Sequence, residues 1–343
     1  MNSFLIVRLG ALGDIVHAIP VAAALRRAFP SARIDWLVGS RQREFLDLVP
    51  VVDRRLVIRE RDAGAGRSYL SAMGELRRHR YDVVFDLQGL LKSAVLARAA
   101  GAARVVGFST PYLRERLARL FYTDAYDPGG RGMYDPDSTL HVVQANLGML
   151  TVIGLTSQVA EFPIERIDSA GAREIRGRVG SRYALLNPGA AWPNKRWPAD
   201  RFGALALELR AQHGLTSLVC WGPGEESLAR DVVQASSGAA VLAPATSIAD
   251  LVSLIGTAAV MVSGDTGPAH IAAALGTPLV GIYGPTRPAR NGPWAPDDVT
   301  VSRSDACQCH HLRRCRAARW CLLDIPASEV ANAVDRRLAA AAR

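Results

Sequence analysis

The sequence predicts a parallel α/β protein of two doubly wound domains, and three observations carry that prediction. Short apolar, strand-like runs alternate with helix-like patterns along the whole chain, as βα units require. Its 343 residues, 49% of them hydrophobic, suffice for two separate cores. Residues 155–180 turn polar and lose periodicity, which marks a linker. The expected organisation is a first domain over 1–165, a second over 166–325, and an amphipathic helix over 326–343 that is a candidate to dock across on the first domain.

In the first half, strands are expected near Phe4–Arg8, Ile34–Val38, Arg55–Ile58, Val83–Asp86 and Arg104–Gly107. Helices are expected at 14–29, 41–48, 67–79, 89–100, 112–121 and 138–153. In the last of these, Val142, Val143, Leu147, Leu150 and Ile153 recur at near-helical spacing and read as a core face. In the second half, strands are expected near Tyr183–Asn187, Ser217–Trp221, Val260–Ser263 and Pro278–Tyr283, with a closing helix over 327–342. Ligands of open parallel sheets bind beyond the carboxyl ends of the strands. The turns to watch are therefore Gly10–Asp14, Asp86–Lys92, Asn187–Lys195, Trp221–Glu226 and Gly264–His270; two sheets facing each other would line a cleft with them.

The net charge of +9 is spread evenly, with 21 basic and 17 acidic residues in 1–165 and 20 and 15 in the remainder. No basic tail or basic–aromatic stripe exists, so a nucleic-acid partner is not expected. An excess of this kind suits an anionic substrate or an anionic membrane surface. The start, MNSFLIVRLGALGDIVHAIP, does not read as a signal peptide, because no basic region precedes the apolar run and Arg8 and Asp14 interrupt it. No apolar run approaches membrane-spanning length, and a cytoplasmic location is expected, with peripheral contact at the inner membrane face allowed for. Of 41 basic residues, 39 are Arg and two are Lys, Lys92 and Lys195, which singles out those two positions.

Four segments carry chemistry. In RLGALGDIVHAIP, Gly10 and Gly13 permit a tight turn, and Asp14 opens a helix either as a capping residue or as a carboxylate general base. The spacing is neither the dinucleotide fingerprint nor a P-loop. In NPGAAWPNKRWP, the small residues Ala190 and Ala191 let backbone amides approach an anion, and Lys195 can neutralise a phosphate. In CWGPGEESLAR, Glu225 or Glu226 opens a helix and is available to a ribose. In MVSGDTGPAHIAAALGTPLVGIYGPT, Asp265 or Thr266 can cap a helix whose first turn takes Pro268, a start suited to phosphate, with His270 one turn on. Separately, Cys307, Cys309, Cys315 and Cys321 fall within fifteen residues beside His310 and His311. Their spacing matches no usual zinc pattern. A structural zinc and free thiols are both open, with free thiols preferred and no metal expected in catalysis.

RLGALGDIVHAIP, FDLQGLLKSA, NPGAAWPNKRWP and SGDTGPAHIAAALGTPLVGIYGPT, in that order, resemble glycosyltransferase family 9, the ADP-heptose:lipopolysaccharide heptosyltransferases. RERLARLFY around Arg114 looks more like the type I enzymes, whereas the cysteine-rich tail is less typical of them. The resemblance implies a GT-B fold, two Rossmann-like domains facing across a cleft, with acceptor on the first and ADP-heptose on the second. It implies Asp14 as catalytic base. Lys195 with Ala190 and Ala191 would hold the diphosphate, and Asp265, Thr266, Gly267 and His270 would contact the donor. Glu225 or Glu226 would take the ribose. Gly10 and Gly13 would shape the acceptor side, where Arg114 and Lys92 would face an anionic Kdo–lipid A acceptor. No cofactor is implied. The expected reaction is metal-independent, inverting transfer of heptose to the Kdo of the lipopolysaccharide inner core. A family 9 enzyme with another sugar or acceptor, including a type II enzyme, is the first alternative; a non-catalytic sugar-nucleotide binder and a nicotinamide-dependent oxidoreductase follow.

Overall fold

The structure, a computed structural model, describes residues 1–59, 65–135, 137, 139–156, 158–310 and 312–342, with backbone alone for 65–68. Two compact units divide it, Met1–Glu165 and Arg166–Arg343. The first holds strands β1 (Ser3–Val7), β2 (Arg33–Gly39), β3 (Arg54–Ile58), β4 (Val83–Asp86), β5 (Arg104–Phe108) and β6 (Asp124–Tyr126). The second holds β7 (Tyr183–Asn187), β8 (Thr216–Val219), β9 (Ala240–Leu242), β10 (Val260–Gly264), β11 (Leu279–Tyr283) and β12 (Val299–Ser302).

The first sheet runs β3-β2-β1-β4-β5-β6 and the second β12-β11-β10-β7-β8-β9, and every pairing is parallel. Counted from its own first strand, each sheet has the order 3-2-1-4-5-6 of the dinucleotide-binding fold. The strand order therefore reverses between β1 and β4 in one unit and between β7 and β10 in the other, and those switch points are where such sheets bind ligands. The central strands are apolar and fully buried, as strands covered by helices on both faces must be. Phe4, Leu5, Ile6, Trp36 and Phe85 fill the first core. Leu186, Trp197, Phe202, Val262 and Ile282 fill the second.

Several elements differ from expectation. The strands β6, β9 and β12 were not anticipated. All three are edge strands of three or four residues and partly exposed; polar residues interrupt β6 and β12, and β9 is only three residues long. The helix expected at 14–29 is two helices, Leu12–Val16 and Ile19–Ala28, broken before Pro20. The helix expected at 112–121 is a pair of short 3-10 turns, Thr110–Tyr112 and Arg116–Phe121. Between them Glu115 is extended and its carboxylate is spent on the Leu91 N–H at 2.6 Å. The helix expected at 138–153 is α-helical over Val142–Gly148 and 3-10 over Met149–Ile153. The expected linker at 155–180 contains a helix, Ala170–Val179, capped by the Ser169 hydroxyl and buried through Ala172, Ile175 and Val179. The C-terminal helix, Ala327–Ala341, contributes Val330, Ala331, Ala333 and Val334 to the core of the second unit, beside Leu322 and Ile325.

Candidate functional site

In the first unit the turn after β1 carries Gly10, Gly13 and Asp14. Asp14 is the third residue of helix Leu12–Val16, and its Oδ2 accepts the Ala11 N–H at 3.1 Å, as the acidic member of a capping box does. Its Oδ1 lies 2.8 Å from Arg8 Nη2, and the Asp14 side chain is 38% exposed. Arg8 also donates to the Leu87 carbonyl at the end of β4. Structural and exposed at once, Asp14 is held in one orientation with a face left to solvent. Gly13 is buried within the helix, while a Cβ at Gly10 would stand 3.5 Å from Gln42 Oε1. Lys92, in the first turn of helix Leu91–Ala99, and Arg114, between the two 3-10 turns, are exposed at the exits of β4 and β5. Since β1, β4 and β5 are adjacent, these residues share the carboxyl edge of one sheet.

Asp86 organises that edge and was missed as a functional candidate. It ends β4 opposite Val7 and is completely buried. It accepts from Ser93 Oγ (2.9 Å), Tyr122 OH (2.8 Å), Gln88 N–H (2.9 Å) and Gly89 N–H (3.3 Å). Burial pushes its carboxyl up, against the Tyr122 hydrogen bond and the other donors, and pushes the Tyr122 phenol far above its ordinary range. The signal available in the sequence was an Asp closing an otherwise apolar strand.

In the second unit the turns after β7 and β10 meet. Lys195 Nζ lies 2.6 Å from Asp265 Oδ2, and His270 Nε2 lies 3.1 Å from Asp265 Oδ1. Lys195 also sits over the Trp192 ring, 4.5 Å from its centroid. Burial alone would raise the Asp265 carboxyl, but the His270 hydrogen bond and the Lys195 charge outweigh it and hold it well below the usual carboxylate range. With both oxygens engaged, Asp265 is an anchor for two cations or donors rather than a direct partner for phosphate. An ammonium has three N–H donors, so Lys195 keeps donors beyond the one aimed at Asp265.

Helix Gly267–Leu275 starts at this cluster. Thr266 occupies its N-cap position with extended backbone, yet no side chain caps the helix. The Thr266 hydroxyl is committed instead to Asn187 Nδ2 (3.0 Å) and Ser263 Oγ (2.9 Å), and Asn187 also donates to Ser263 at 2.9 Å. The expectation that Asp265 or Thr266 caps this helix is thus corrected: the carboxylate serves Lys195 and His270, and the hydroxyl ties the start of the helix to β7. Asn187, buried at the end of β7 beside Ser263, is a second residue that the sequence reading did not single out. An uncapped helix start with a lysine beside it suits an anion by charge and by geometry.

The two glutamates separate cleanly. Glu225 Oε2 accepts the Gly222 N–H at 3.1 Å, and Oε1 lies 3.6 Å from Arg196 Nη2. Arg196 in turn donates to the Ala190 carbonyl at 2.9 Å, so Glu225 belongs to the loop of Ala190 and Lys195. Glu226 pairs along its own helix with Arg230. Ala190 is buried and Ala191 exposed in that loop.

Cys307 and Cys309 are buried, and Cys309 Sγ lies 3.1 Å from Cys315 Sγ. The Cys309 and Arg316 N–H groups donate to thiol sulfurs at 3.3 and 3.1 Å. Burial and the neighbouring Cys307 push the Cys321 thiol up to about 12. Among the described residues no group of three or more His, Cys, Asp or Glu is arranged to hold a metal ion; His311 lies outside them. The cysteine segment has a structural tie to the site: Asn194 donates to the Leu312 carbonyl at 2.8 Å, and Trp320 donates to the Asn194 carbonyl at 2.9 Å. Cys220 is a core residue whose thiol burial pushes up to about 12.

Two Rossmann-like units of this order are the architecture of the GT-B fold, here with an exposed oriented carboxylate in one unit and an uncapped helix start beside a lysine in the other. The chain belongs to glycosyltransferase family 9, the heptosyltransferases, whose family model matches residues 70–321. It is 30% identical to lipopolysaccharide heptosyltransferase 1 of Pseudomonas aeruginosa over 76% of this chain and 73% of that one. It is 26% identical to the enzyme of the same name from Escherichia coli K12, over 76% and 81%. Among solved structures it resembles a family 9 glycosyltransferase from Veillonella parvula (TM-score 0.81, 21% identity, 99% and 97% covered). It also resembles E. coli heptosyltransferase WaaC with ADP (TM-score 0.77, 23% identity, 98% and 99% covered). No helix among the described residues is long and apolar enough to cross a membrane.

Proposed function

We propose that this chain is an inverting heptosyltransferase that moves L-glycero-D-manno-heptose from ADP-heptose to the Kdo of the lipopolysaccharide inner core. The observation that carries the reading is the start of helix Gly267–Leu275, uncapped and flanked by Lys195 on its Asp265 anchor. That is a diphosphate site. Relatives named lipopolysaccharide heptosyltransferase 1, and a neighbour in fold solved with ADP, support the choice of nucleotide and sugar.

In this reading the helix amides and Lys195 take the donor's phosphates, with His270 one turn further on. Glu225 takes the ribose hydroxyls. Asp14, aligned by Arg8, removes the proton of the acceptor hydroxyl as it attacks the anomeric carbon. Charge grows on the ADP phosphate as the glycosidic bond breaks, and oriented amides and an ammonium stabilise it; the scheme calls on no metal. Displacement from the opposite face inverts the anomeric centre. Arg114 and Lys92 attract the anionic Kdo–lipid A acceptor at the carboxyl edge of the first sheet, which places the work at the inner face of the membrane.

The test is release of ADP from ADP-heptose with and without Kdo–lipid A. Release that depends on the acceptor is expected; none with both substrates present would reject the proposal.

A further inference from the structure

The 3-10 turn Arg116–Phe121 repeats every three residues, so positions three apart share a face. One face, Ala118 and Phe121, turns inward, with Ala118 fully buried. The next, Arg116 and Arg119, is basic. The third is Leu117 and Leu120, which are 62% and 79% exposed. Single exposed leucines are ordinary, but two on one face of a rigid turn are not scattered surface residues. Leu91, also exposed, lies beside them, because its N–H is held by Glu115.

The charge around these leucines is one-sided. Arg114, Arg116 and Lys92 are exposed. Arg119 is half-buried, donates to the Tyr122 carbonyl at 3.0 Å and lies near Asp124. Glu115, the acidic residue in their midst, spends its carboxylate as the cap of helix Leu91–Ala99. What remains is an apolar pair ringed by cations, the composition of surfaces that lie in the headgroup region of a bilayer. A symmetric contact with a second copy of the chain would bring this patch against itself and set arginine against arginine, which disfavours that occupant.

We propose that Leu91, Lys92 and Arg114–Leu120 form a docking surface for an anionic lipid bilayer, with Leu117 and Leu120 entering the headgroup layer and Arg114 and Arg116 facing lipid phosphates. This goes beyond the acceptor assignment and does not need it, since lipid binding is read without donor or acceptor. It would put the carboxyl edge of the first sheet next to a membrane-borne substrate.

The test is co-sedimentation of the full chain with vesicles of phosphatidylcholine alone or with about a third phosphatidylglycerol, at low and high salt. Binding to the anionic vesicles only, weakened by salt, is expected. The double variant Leu117→Gln/Leu120→Gln should bind about tenfold more weakly, and Arg116→Gln about fivefold, the loss of one basic residue near an anionic surface. Both should keep the wild-type melting temperature and ADP affinity, because the replaced side chains are exposed and belong to the first unit, whereas the proposed donor residues belong to the second. As an independent readout, Leu120→Trp should show a blue-shifted emission when anionic vesicles are added. Undiminished binding by the double variant, equal binding to neutral vesicles, or no blue shift overturns the proposal. So does a wild-type dimer that the double variant abolishes while vesicle binding stays unchanged. Loss of transferase activity with vesicle binding intact would instead count against the acceptor reading.

Discussion

Lys195 and Asp265, 70 residues apart in the chain, meet at 2.6 Å with side chains only 15% and 5% exposed, and the same carboxylate holds His270. This pair ties the loop after β7 to the loop after β10, so the loops that make the proposed phosphate site are also held together by it. Removing either partner therefore has two consequences, one for binding and one for the fold.

Lys195→Ala should weaken ADP binding and also destabilise the protein by about 3–5 kcal/mol, because it strands a buried carboxylate. Asp265→Asn added to it should recover much of the stability but none of the ADP affinity. Urea unfolding and titration calorimetry separate the two effects. Wild-type ADP affinity in Lys195→Ala would count against the phosphate role.

The pH dependence of stability follows from the same pair. The folded Asp265 carboxyl is held below its unfolded value of about 3.9, so its contribution is complete above that value and is lost as the pH falls below it. Unfolding free energies of wild type and Asp265→Asn, compared from about pH 7 to about pH 2, should show a shallower acid loss in the variant. Parallel acid limbs would contradict the assignment.

Two glycines test the loops by opposite routes. A Cβ at Gly189 would meet Glu225 Oε2 at 2.0 Å, the far end of a flexible side chain. Gly189→Ala should therefore fold normally and lose ADP affinity as Glu225 is displaced. A Cβ at Gly264 would stand 2.9 Å from the Lys195 carbonyl, which is backbone. Gly264→Ala should lower the melting temperature as well as ADP affinity. Thermal melts of both variants decide it.

Glu225→Gln should weaken ADP binding, whereas Glu226→Gln, which breaks an exposed pair with Arg230, should leave it unchanged. Equal effects in calorimetric titrations would show that the two side chains had been wrongly separated.

Asp14→Asn should bind ADP as tightly as wild type while turnover falls about 10²–10⁴-fold, the usual worth of a general base. Retention of turnover would remove Asp14 from the chemistry.

Much of this was legible in the sequence because apolar central strands and small-residue turns leave local signals. β1, β4, β7 and β10 and the turns after them were readable for that reason. The edge strands β6, β9 and β12 were not, since each has one neighbour and an exposed side, and pairing rather than composition defines them. Helix Ala170–Val179 was hidden because arginines surround its three buried residues. Asp86 and Asn187 escaped because their importance lies in the donors and acceptors that converge on them from distant residues such as Tyr122 and Thr266. Choosing between Glu225 and Glu226 required knowing which way each side chain leaves the first turn of its helix.

The seat of Lys195 over the Trp192 ring has a practical side. With 39 of 41 basic residues arginine, amine-directed acylating reagents find two side-chain targets in this chain, exposed Lys92 and shielded Lys195. The first serves as an internal standard for the second. The ratio of label on the two peptides, read by mass spectrometry, would report occupancy of the nucleotide loop in the unaltered protein.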